Sequence, residues 1–299
     1  MHIKTKAAVL YNLNKPLKII DLDLPFPEKG EVLVKIFFSS ICHTQLLEIQ
    51  GKNAAGSYVP NLMGHEAVGQ VLSVGDGVKK VKVGQRVILS WIKGMGFNVI
   101  PKPIKYKKIL INRGAVTTFA DHSVVSENRV FPISKKMPLN VASLLGCAVP
   151  TGMGMVINNA KLKKGSSILI IGCGGVGINA IQAAKLKKAK NIIVADLNSK
   201  KRQKSIELGA THFVNYKNKK KLNDLIAMLT ENKGLDYCID TVGKKETMEF
   251  AYMKANNLKG HVILCGVPNP PKTKISIDPF PLYFGKKIVG TGGGETKPD

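Results

Sequence analysis

Residues 168–177 read Ile-Leu-Ile-Ile-Gly-Cys-Gly-Gly-Val-Gly, and this stretch decides the fold of the second half of the chain. Its apolar run has the length of a buried strand, and the series Gly172-x-Gly174-x-x-Gly177 leads from it into an amphipathic helical pattern. Gly172 permits a tight turn, Gly174 lets the backbone approach a pyrophosphate, and Gly177 allows the helix to pack closely on the strand. The pattern predicts a strand–loop–helix unit that binds a dinucleotide.

The residues that follow the first two glycines support this interpretation. The start of the predicted helix, where Gly175 and Val176 lie, offers unpaired N–H groups and the positive end of the helix dipole to an anion. A glycine-rich turn without a ligand is the alternative. The strand before the glycines, the helix after them and an acidic residue at the end of the next strand favour the nucleotide site.

That acidic residue, Asp196, lies 24 residues beyond Gly172. A carboxylate in this place binds the adenosine ribose hydroxyls and repels a 2′-phosphate, so NAD is favoured over NADP. Lys200, Lys201 and Arg202 follow closely and could attract that phosphate. We interpret these three as a solvated first helical turn and predict NAD.

From about residue 166 onward, compact apolar strands alternate with amphipathic helical stretches. This alternation is typical of parallel strands with helical crossovers, which form a doubly wound sheet. Ser199 is placed to cap one helix, and Gly209 to end it. The predicted strands cover residues 167–171, 191–195, 211–215, 235–240, 261–265 and 287–290, and the predicted helices cover residues 175–189, 199–208, 220–230 and 245–256.

The first half of the chain has a different sequence pattern, in which short strand-like runs are separated by turns that contain Pro, Gly and Asn. We predict a small, partly open β-barrel there rather than a sandwich. The predicted strands cover residues 7–10, 17–21, 31–37, 67–74 and 86–89.

The chain is strongly basic, with a formal net charge of +25 over 299 residues. Its lysines are spread along the whole chain rather than gathered on one segment, and no nucleic-acid-binding motif or aromatic stacking pattern accompanies them. We therefore expect no nucleic-acid partner. A hydrophobic fraction of 44% and a charged fraction of 22% are ordinary for a soluble globular protein.

The apolar runs are too short to cross a bilayer, and we expect neither membrane insertion nor a secretory signal. Five cysteines at wide, irregular spacing do not form a disulfide framework and suit a reducing compartment. We therefore expect a cytoplasmic protein. The sequence contains no C-x-x-C pair, which argues against a structural zinc held by clustered thiolates.

Cys42, His65 and Cys147 each stand beside small or turn-forming residues. A catalytic zinc takes about three protein ligands and keeps one position open, and two thiolates with one imidazole are an established set. Taken singly, each residue has another interpretation. An isolated cysteine is most often a small buried hydrophobe, and a lone histidine is more often hydrogen-bonded than metallated. From these residues alone, both interpretations stay open.

Three stretches of the sequence resemble the zinc-binding segments of the medium-chain zinc-dependent alcohol dehydrogenases. They are Ile41-Cys-His-Thr, Gly64-His-Glu-Ala-Val-Gly and Leu145-Gly-Cys-Ala-Val-Pro-Thr-Gly, and they occur in that family's order, followed by the glycine loop. The resemblance implies a GroES-like catalytic domain over residues 1–147 and a Rossmann domain that binds NAD over residues 148–291. It also implies one catalytic zinc in the cleft between the domains.

The resemblance further implies roles for individual residues. Cys42, His65 and Cys147 match the zinc ligands, Glu66 matches a carboxylate that can transiently coordinate the metal, and Thr44 matches the acceptor of the alcohol proton. The remaining matches are cofactor contacts at His43, Thr151, Lys201, Val242 and Val267, and a wall of the substrate pocket at Trp91.

The sequence departs from the family pattern in four ways. Residues 92–113 contain none of the four clustered cysteines that hold a structural zinc in many relatives, so one zinc per chain is expected. Gln45 stands where an aspartate often supports the zinc-binding histidine, and gives less electrostatic help. Leu47 stands where a histidine often ends the proton relay, so the proton must leave by another route. Residues 292–299 are the start of a return segment that usually continues for about fifty more residues.

The predicted reaction is hydride transfer between an alcohol, or an aldehyde or ketone, and NAD. The alternatives are a polyol, amino-acid-alcohol or thiol–formaldehyde adduct dehydrogenase of the same family, and a truncated, catalytically impaired relative that still binds nucleotide or zinc. Because relatives are dimers or tetramers, a homodimer or homotetramer is expected.

Overall fold

The computed structural model describes residues 2–52 and 58–299. The chain divides into two compact units, one formed by Met1–Cys147 with Lys297–Asp299 and the other by Ala148–Thr296. In the described part of the chain, no single helix is long and apolar enough to cross a membrane. Two consecutive short segments, Leu139–Gly146 and Ala148–Asn159, reach that length and apolarity only when taken together across a bend.

The first unit is built from antiparallel strands in three sheets. The strands are β1 (His2–Leu10), β2 (Lys18–Pro25), β3 (Glu31–Ser39), β4 (Asn61–Leu62), β5 (Glu66–Val74), β6 (Arg86–Ser90), β7 (Ile104–Tyr106), β8 (Ile109–Ile111), β9 (His122–Ser126) and β10 (Val130–Pro132). A five-stranded sheet has the order β10-β6-β5-β3-β9, a three-stranded sheet has the order β2-β1-β4, and β7 pairs with β8. The helices are α1 (His43–Ile49) and α2 (Leu139–Ala142), with 3-10 turns at Glu127–Arg129 and Ser143–Gly146.

Asp121 joins the two larger sheets of this unit. Its N–H donates to the carbonyl of Lys6 on β1, and its carbonyl accepts from Ile36 on β3. Alternate residues of β3, such as Val32 and Val34, point into a core of small β-branched and aliphatic side chains. The result is the curved, partly open β architecture that the sequence predicts.

The segment after β6 is held to this unit by a buried carboxylate. Glu127 is almost fully buried, and its Oε1 accepts hydrogen bonds from the backbone N–H groups of Lys79 at 2.6 Å and Lys80 at 2.8 Å. Its Oε2 accepts from the N–H of Phe97 at 3.0 Å. Two further polar contacts hold the same segment, since Ser126 Oγ exchanges hydrogen bonds with the backbone of Val99 and Asn128 donates to Asn98.

The second unit is a doubly wound α/β domain. Its strands are β11 (Ser167–Ile171), β12 (Asn191–Asp196), β13 (His212–Asn215), β14 (Tyr237–Asp240), β15 (His261–Leu264) and β16 (Lys287–Gly290). These six strands pair in parallel in the order β13-β12-β11-β14-β15-β16, which is the order of a Rossmann sheet. The helices are α3 (Ala148–Gly154), α4 (Gly175–Leu186), α5 (Arg202–Leu208), α6 (Lys219–Thr230) and α7 (Lys245–Lys254). A π-helical turn lies at Met155–Asn159, and 3-10 turns lie at Ser199–Lys201, Phe280–Phe284 and Gly293–Glu295.

The apolar run of β11 divides between two cores because side chains alternate along a strand. Ile168 and Ile170 pack in the cluster that contains α4, whereas Leu169 and Ile171 pack in the cluster that contains α6 and α7. All four side chains are fully buried. Burial on both faces explains why this strand shows no polar alternation in the sequence.

One helix start differs from the prediction. Asn198, not Ser199, accepts a hydrogen bond from the N–H of Lys200 and caps the helical segment. The predicted cap is therefore wrong by one residue, because the side chain of Asn198 already accepts the hydrogen bond from the free backbone N–H of Lys200. Gly209 ends α5 with a positive φ of 125°, as predicted.

Candidate functional site

Three donor atoms from distant parts of the sequence converge in the first unit. Cys42 stands directly before α1, His65 directly before β5, and Cys147 directly after the 3-10 turn Ser143–Gly146. The two sulfurs and a ring nitrogen of His65 all lie within 4.8 Å of one another. This spacing and this soft donor set suit a tetrahedral zinc ion with one position left for another ligand.

Two glycines allow the chain to reach this arrangement. Gly64 turns with a φ of 90°, and a Cβ there would lie 2.5 Å from Thr118 Oγ1. A Cβ on Gly146 would lie 2.4 Å from the carbonyl oxygen of Leu89 and 2.6 Å from the Cβ of Glu66. A side chain at either position would displace the ligand that follows it.

Gln45 connects two of the three donors. Its Oε1 accepts a hydrogen bond from the backbone N–H of Cys42 at 2.7 Å, and its Nε2 lies 2.5 Å from His65 Nδ1. The Nε2 of His65 is buried and has no hydrogen-bond partner in the described part of the chain. A buried imidazole nitrogen held in place without a partner fits a metal ligand.

The two sulfurs lie so close together that ionisation of one disfavours ionisation of the other. A hydrogen bond from Cys147 lowers the pKa of the Cys42 thiol far below its ordinary value, against the opposing effect of burial. The same hydrogen bond, burial and the charge of Cys42 raise the pKa of Cys147. A divalent cation would remove this competition because it stabilises both thiolates.

Three other predicted residues of the first unit lie next to these donors. The Thr44 hydroxyl lies 3.5 Å from Cys42 Sγ. Glu66 is fully buried next to His65, and the side chain of Trp91 hydrogen-bonds Cys147, which lowers the pKa of that thiol. His43 is exposed at the start of α1, and Leu47, which stands where many relatives have a histidine, is buried in the same helix.

The glycine loop of the second unit has the geometry that the sequence predicts. Gly172 has a φ of 97°, and a Cβ there would lie 2.4 Å from Thr241 Oγ1. A Cβ on Gly177 would lie 2.0 Å from the carbonyl oxygen of Gly172, so α4 packs directly on the loop. Gly174 is exposed, and a Cβ there would meet no described atom within 4 Å.

The start of α4 is open to a ligand. Gly174 occupies the N-cap position, and no side chain in the described residues caps this helix. Gly175 is exposed and Val176 is half-buried in the first turn. Uncapped N–H groups beside open space fit the pyrophosphate of a dinucleotide.

Asp196 lies at the end of β12, next to this loop. Its Oδ2 accepts hydrogen bonds from the N–H of Cys173 at 2.7 Å and from the Lys201 ammonium at 3.0 Å. Its Oδ1 accepts from the N–H of Asn198 at 2.8 Å. Burial opposes ionisation, but these donors outweigh it and lower the pKa of Asp196, so the carboxylate is charged at neutral pH.

Three predicted contact residues of the second unit lie on different elements. Thr151 is buried in α3, and its hydroxyl has no hydrogen-bond partner in residues 2–52 and 58–299. Val242 follows β14 and Val267 follows β15, and both side chains are partly exposed. Asp240, a buried acid between these two loops, was not predicted. Its signal in the sequence is an acidic residue at the carboxyl end of an apolar strand.

Known protein families match both units. The alcohol dehydrogenase GroES-like domain matches residues 28–135, and the zinc-binding dehydrogenase family matches residues 175–298. The S-(hydroxymethyl)glutathione dehydrogenase of Saccharomyces cerevisiae is 33% identical over 324 aligned positions, which cover 99% of this chain and 83% of the yeast protein. The chain belongs to the zinc-dependent alcohol dehydrogenase family. It is an oxidoreductase of the alcohol dehydrogenase type.

Two further proteins are similar to this dehydrogenase over nearly its whole length. The S-(hydroxymethyl)glutathione dehydrogenase of Synechocystis sp. is 31% identical, with 99% of this chain and 86% of that protein covered. The crystal structure of benzyl alcohol dehydrogenase from Acinetobacter calcoaceticus superposes with a TM-score of 0.89 at 26% identity, covering 99% of this chain and 86% of that one. The predicted family and fold class are confirmed, and so is the predicted type of reaction.

Proposed function

We propose that this dehydrogenase holds one catalytic zinc and no structural zinc, and transfers hydride between an alcohol, or an aldehyde or ketone, and NAD. The observation that carries the proposal is the convergence of Cys42, His65 and Cys147 within 4.8 Å of one another. The orphaned Nε2 of His65 supports it, because a buried nitrogen without a partner costs stability unless a ligand occupies it.

When bound, zinc supplies Lewis-acid polarisation of the alcohol oxygen, and NAD supplies the hydride acceptor. Cys42, His65 and Cys147 hold the metal, and Glu66 is the carboxylate that can approach it. Thr44 accepts the alcohol proton at its hydroxyl oxygen, which lies beside the Cys42 sulfur. As it accepts this proton, the Thr44 hydroxyl passes its own proton to water, because Leu47 has no group that can carry the proton further.

The nucleotide occupies the glycine loop in this proposal. Gly172, Gly174 and Gly177 shape the loop, and Gly175 and Val176 present N–H groups to the pyrophosphate. The charged carboxylate of Asp196 favours NAD because it repels a 2′-phosphate. The proposed additional contacts to the cofactor come from His43, Thr151, Lys201, Val242 and Val267.

Trp91 is proposed to wall the substrate pocket, because its indole lies against Cys147 and remains partly exposed. A second substrate class is favoured by the names of the two curated relatives, which act on S-(hydroxymethyl)glutathione. Activity on this thiol–formaldehyde adduct is therefore the second candidate. It uses the same metal and nucleotide sites.

The quaternary structure and location are also part of the proposal. An exposed aromatic group, Phe280, Tyr283 and Phe284, precedes the edge strand β16, and such a patch supports self-association as a homodimer or homotetramer. All five cysteines are free thiols, which supports a reducing compartment such as the cytoplasm.

The deciding experiment combines metal analysis with turnover measurements on the purified protein. We expect about one zinc per chain, and NAD-linked oxidation of alcohols or of the glutathione–formaldehyde adduct that is lost on chelation and restored by zinc. A ranking of kcat/KM across primary alcohols, polyols and the adduct separates the two candidate substrate classes. A protein that turns over alcohols at full rate without metal would disprove the proposal.

A further inference from the structure

Asp240 is an acidic residue with no exposed surface, placed at the carboxyl end of β14. In the sheet it lies between Ile171 on β11 and Leu264 on β15, at the edge where the glycine loop also begins. Burying a carboxyl group costs free energy unless its hydrogen bonds are replaced. A residue of this kind in a parallel strand, where apolar side chains are the rule, therefore calls for a specific role.

The side chain of Asp240 holds the loop that follows its own strand. Its Oδ2 accepts a hydrogen bond from the N–H of Gly243 at 2.9 Å. Burial raises the pKa of Asp240, and the Thr247 hydroxyl and the N–H groups of Gly243 and Val242 act against that effect. These groups all belong to residues 242–247, so the carboxyl group acts on the loop after β14. Its hydrogen bond is the one from Gly243: the Thr247 hydroxyl donates to the carbonyl of Lys244 at 2.9 Å, and Asp240 Oδ1 has no partner among the described residues.

The backbone of Asp240 holds the neighbouring loop as well. Its carbonyl oxygen accepts from the N–H of Cys265 at 2.9 Å and from the N–H of Gly266 at 3.1 Å. The two loops then meet without space for side chains. A Cβ on Gly243 would lie 2.0 Å from the carbonyl oxygen of Val267, and a Cβ on Gly266 would lie 2.1 Å from the nitrogen of Gly243.

The first of these loops also touches the glycine loop. Thr241 donates from Oγ1 to the carbonyl of Ile171 at 2.9 Å, and this hydroxyl fills the space beside Gly172. Three loops at one edge of the sheet are thus tied through residues 240 and 241. This edge, where the strand order reverses between β11 and β14, is where doubly wound sheets bind nucleotides.

We propose that Asp240 is a positioning residue for the dinucleotide: its side chain fixes the backbone of residues 242–243, against which the loop at residues 265–267 packs, so that Val242 and Val267 face the cofactor in a preorganised shape. This inference rests on the proposed nucleotide-binding function. It assigns Asp240 no contact with the substrate and no part in proton transfer.

The chain offers a matched control at the opposite end of the same two strands. Asp236 stands before β14, and its Oδ2 accepts hydrogen bonds from the N–H and the hydroxyl of Ser167, each at 2.9 Å. Asp236 and Asp240 are therefore both aspartates of the β14 region whose carboxyl oxygen accepts from a backbone N–H. Only Asp240 does so at the edge where the nucleotide is proposed to bind.

The experiment compares Asp240→Ala, Asp240→Asn, Asp236→Ala and Asp236→Asn in the full chain, with NADH affinity measured by fluorescence titration and stability by thermal unfolding. We expect Asp240→Ala to raise the Kd for NADH by about tenfold, the effect of one lost buried hydrogen bond on the shape of the site. Asp240→Asn keeps one acceptor for Gly243 and should recover part of the affinity. The Asp236 variants should lower the midpoint of unfolding but change the Kd less than about twofold.

An Asp240→Ala protein that is folded and binds NADH within about twofold of the unmodified chain would overturn the inference. Equal losses of affinity in the Asp236 and Asp240 variants would also overturn it, because they would report general destabilisation. If the alanine variant does not fold, the two asparagine variants decide by the same comparison.

Failure of the proposed function gives a different result. In that case the unmodified chain binds neither NADH nor NADPH. Amide hydrogen exchange at residues 242–243 and 265–267 would then decide the positioning role without any ligand. Faster exchange at residues 242 and 243 in Asp240→Asn, and not in Asp236→Asn, supports the role, and unchanged exchange at these residues refutes it.

Discussion

The Nε2 atom of Gln45 lies 2.5 Å from Nδ1 of His65, while Oε1 of the same amide accepts from the N–H of Cys42. An amide carries its acceptor and its donor on different atoms, so this orientation leaves only a donor for the imidazole. The Nδ1 atom of His65 then accepts a hydrogen bond from the Gln45 amide, and the neutral imidazole carries its proton on its own Nε2 atom. A metal ion needs a lone pair at Nε2, so the zinc-bound ring must carry its proton on Nδ1, and the donor that Gln45 presents to that N–H lowers the affinity of His65 for zinc without preventing coordination.

Replacing Gln45 by glutamate should remove this conflict. Glutamate has the same length and offers an acceptor on both oxygens, so the N–H of Cys42 and an Nδ1–H of His65 can both be satisfied. We expect Gln45→Glu to raise the affinity for zinc by about tenfold, the lower end of the usual effect of partners behind a metal ligand. Competition with a chromophoric chelator at constant pH measures the change.

The matched control for this variant is Gln50→Glu, which adds the same charge at the exposed C-terminal end of α1. It should leave the zinc affinity unchanged. An equal increase in both variants would mean that the added charge acts through space. Unchanged or weaker binding in Gln45→Glu would contradict the proposed orientation of the amide.

Cys147→Ser should abolish bound zinc and turnover, because the hydroxyl of serine is not deprotonated at neutral pH and is a poor zinc ligand. The affinity for NADH should remain close to that of the unmodified protein, since Cys147 belongs to the first unit and the glycine loop to the second. Zinc content by mass spectrometry, NADH titration and alcohol oxidation measure the three quantities.

Cys238→Ser is the control for this loss. Cys238 is fully buried in β14, so the new hydroxyl should lower stability without removing the metal. Retained turnover in a zinc-free Cys147→Ser protein would show that this cysteine is not a ligand of the catalytic metal.

Elements whose periodicity is strong could be predicted from the sequence. The strands at residues 167–171 and 287–290 have the predicted bounds, because each lies between polar or glycine residues that end the apolar run. The helix after the glycine loop was predicted to reach residue 189 but ends at Leu186. The lysines that follow are compatible with a helix, so the sequence does not mark its end, but they add no apolar face that would pack a further turn.

The metal donors required more than the residue pattern. Cys42, His65 and Cys147 are far apart in the sequence, so only the resemblance to a family, and then the folded chain, could bring them together. The contacts of Asp240 and Glu127 were not predicted, because Asp240 bonds the backbone of a loop three residues further along the chain and Glu127 bonds backbone groups almost fifty residues away. Such bonds leave no periodic signal in the sequence.

Asp196→Asn should shift the cofactor preference toward NADP. The substitution removes the negative charge that repels a 2′-phosphate and releases the Lys201 ammonium from its 3.0 Å ion pair. We expect the ratio of kcat/KM for NADP to that for NAD to rise by about tenfold, which corresponds to about 1.4 kcal/mol of removed repulsion. Initial rates with each cofactor at saturating alcohol measure the ratio.

Asp224→Asn is the control for the net charge, because Asp224 is exposed on α6. This variant should leave the cofactor ratio unchanged. An unchanged ratio in Asp196→Asn as well would mean that the 2′-position is recognised by other residues.

Glu127→Gln should destabilise the first unit. The carboxylate accepts three backbone N–H groups, and the amide of glutamine would direct a donor toward at least one of them. A buried donor without an acceptor costs about 1 to 3 kcal/mol. Urea unfolding at neutral pH measures the change, and Glu28→Gln, at an exposed glutamate paired with Lys102, should leave the midpoint unchanged.

The same variant should change the acid sensitivity of the protein. Burial alone would raise the pKa of Glu127, but the N–H groups of Lys80, Phe97 and Lys79 outweigh it and lower the pKa in the folded state. A lowered folded pKa means that the carboxylate contributes stability above its unfolded pKa of about 4.3, and that this contribution is lost as the pH falls through the folded value. The difference in unfolding free energy between the unmodified protein and Glu127→Gln should therefore be constant from pH 7 to about pH 5 and shrink below about pH 4. A difference that stays the same down to the acid transition would show that the ionised form of Glu127 does not hold the segment after β6.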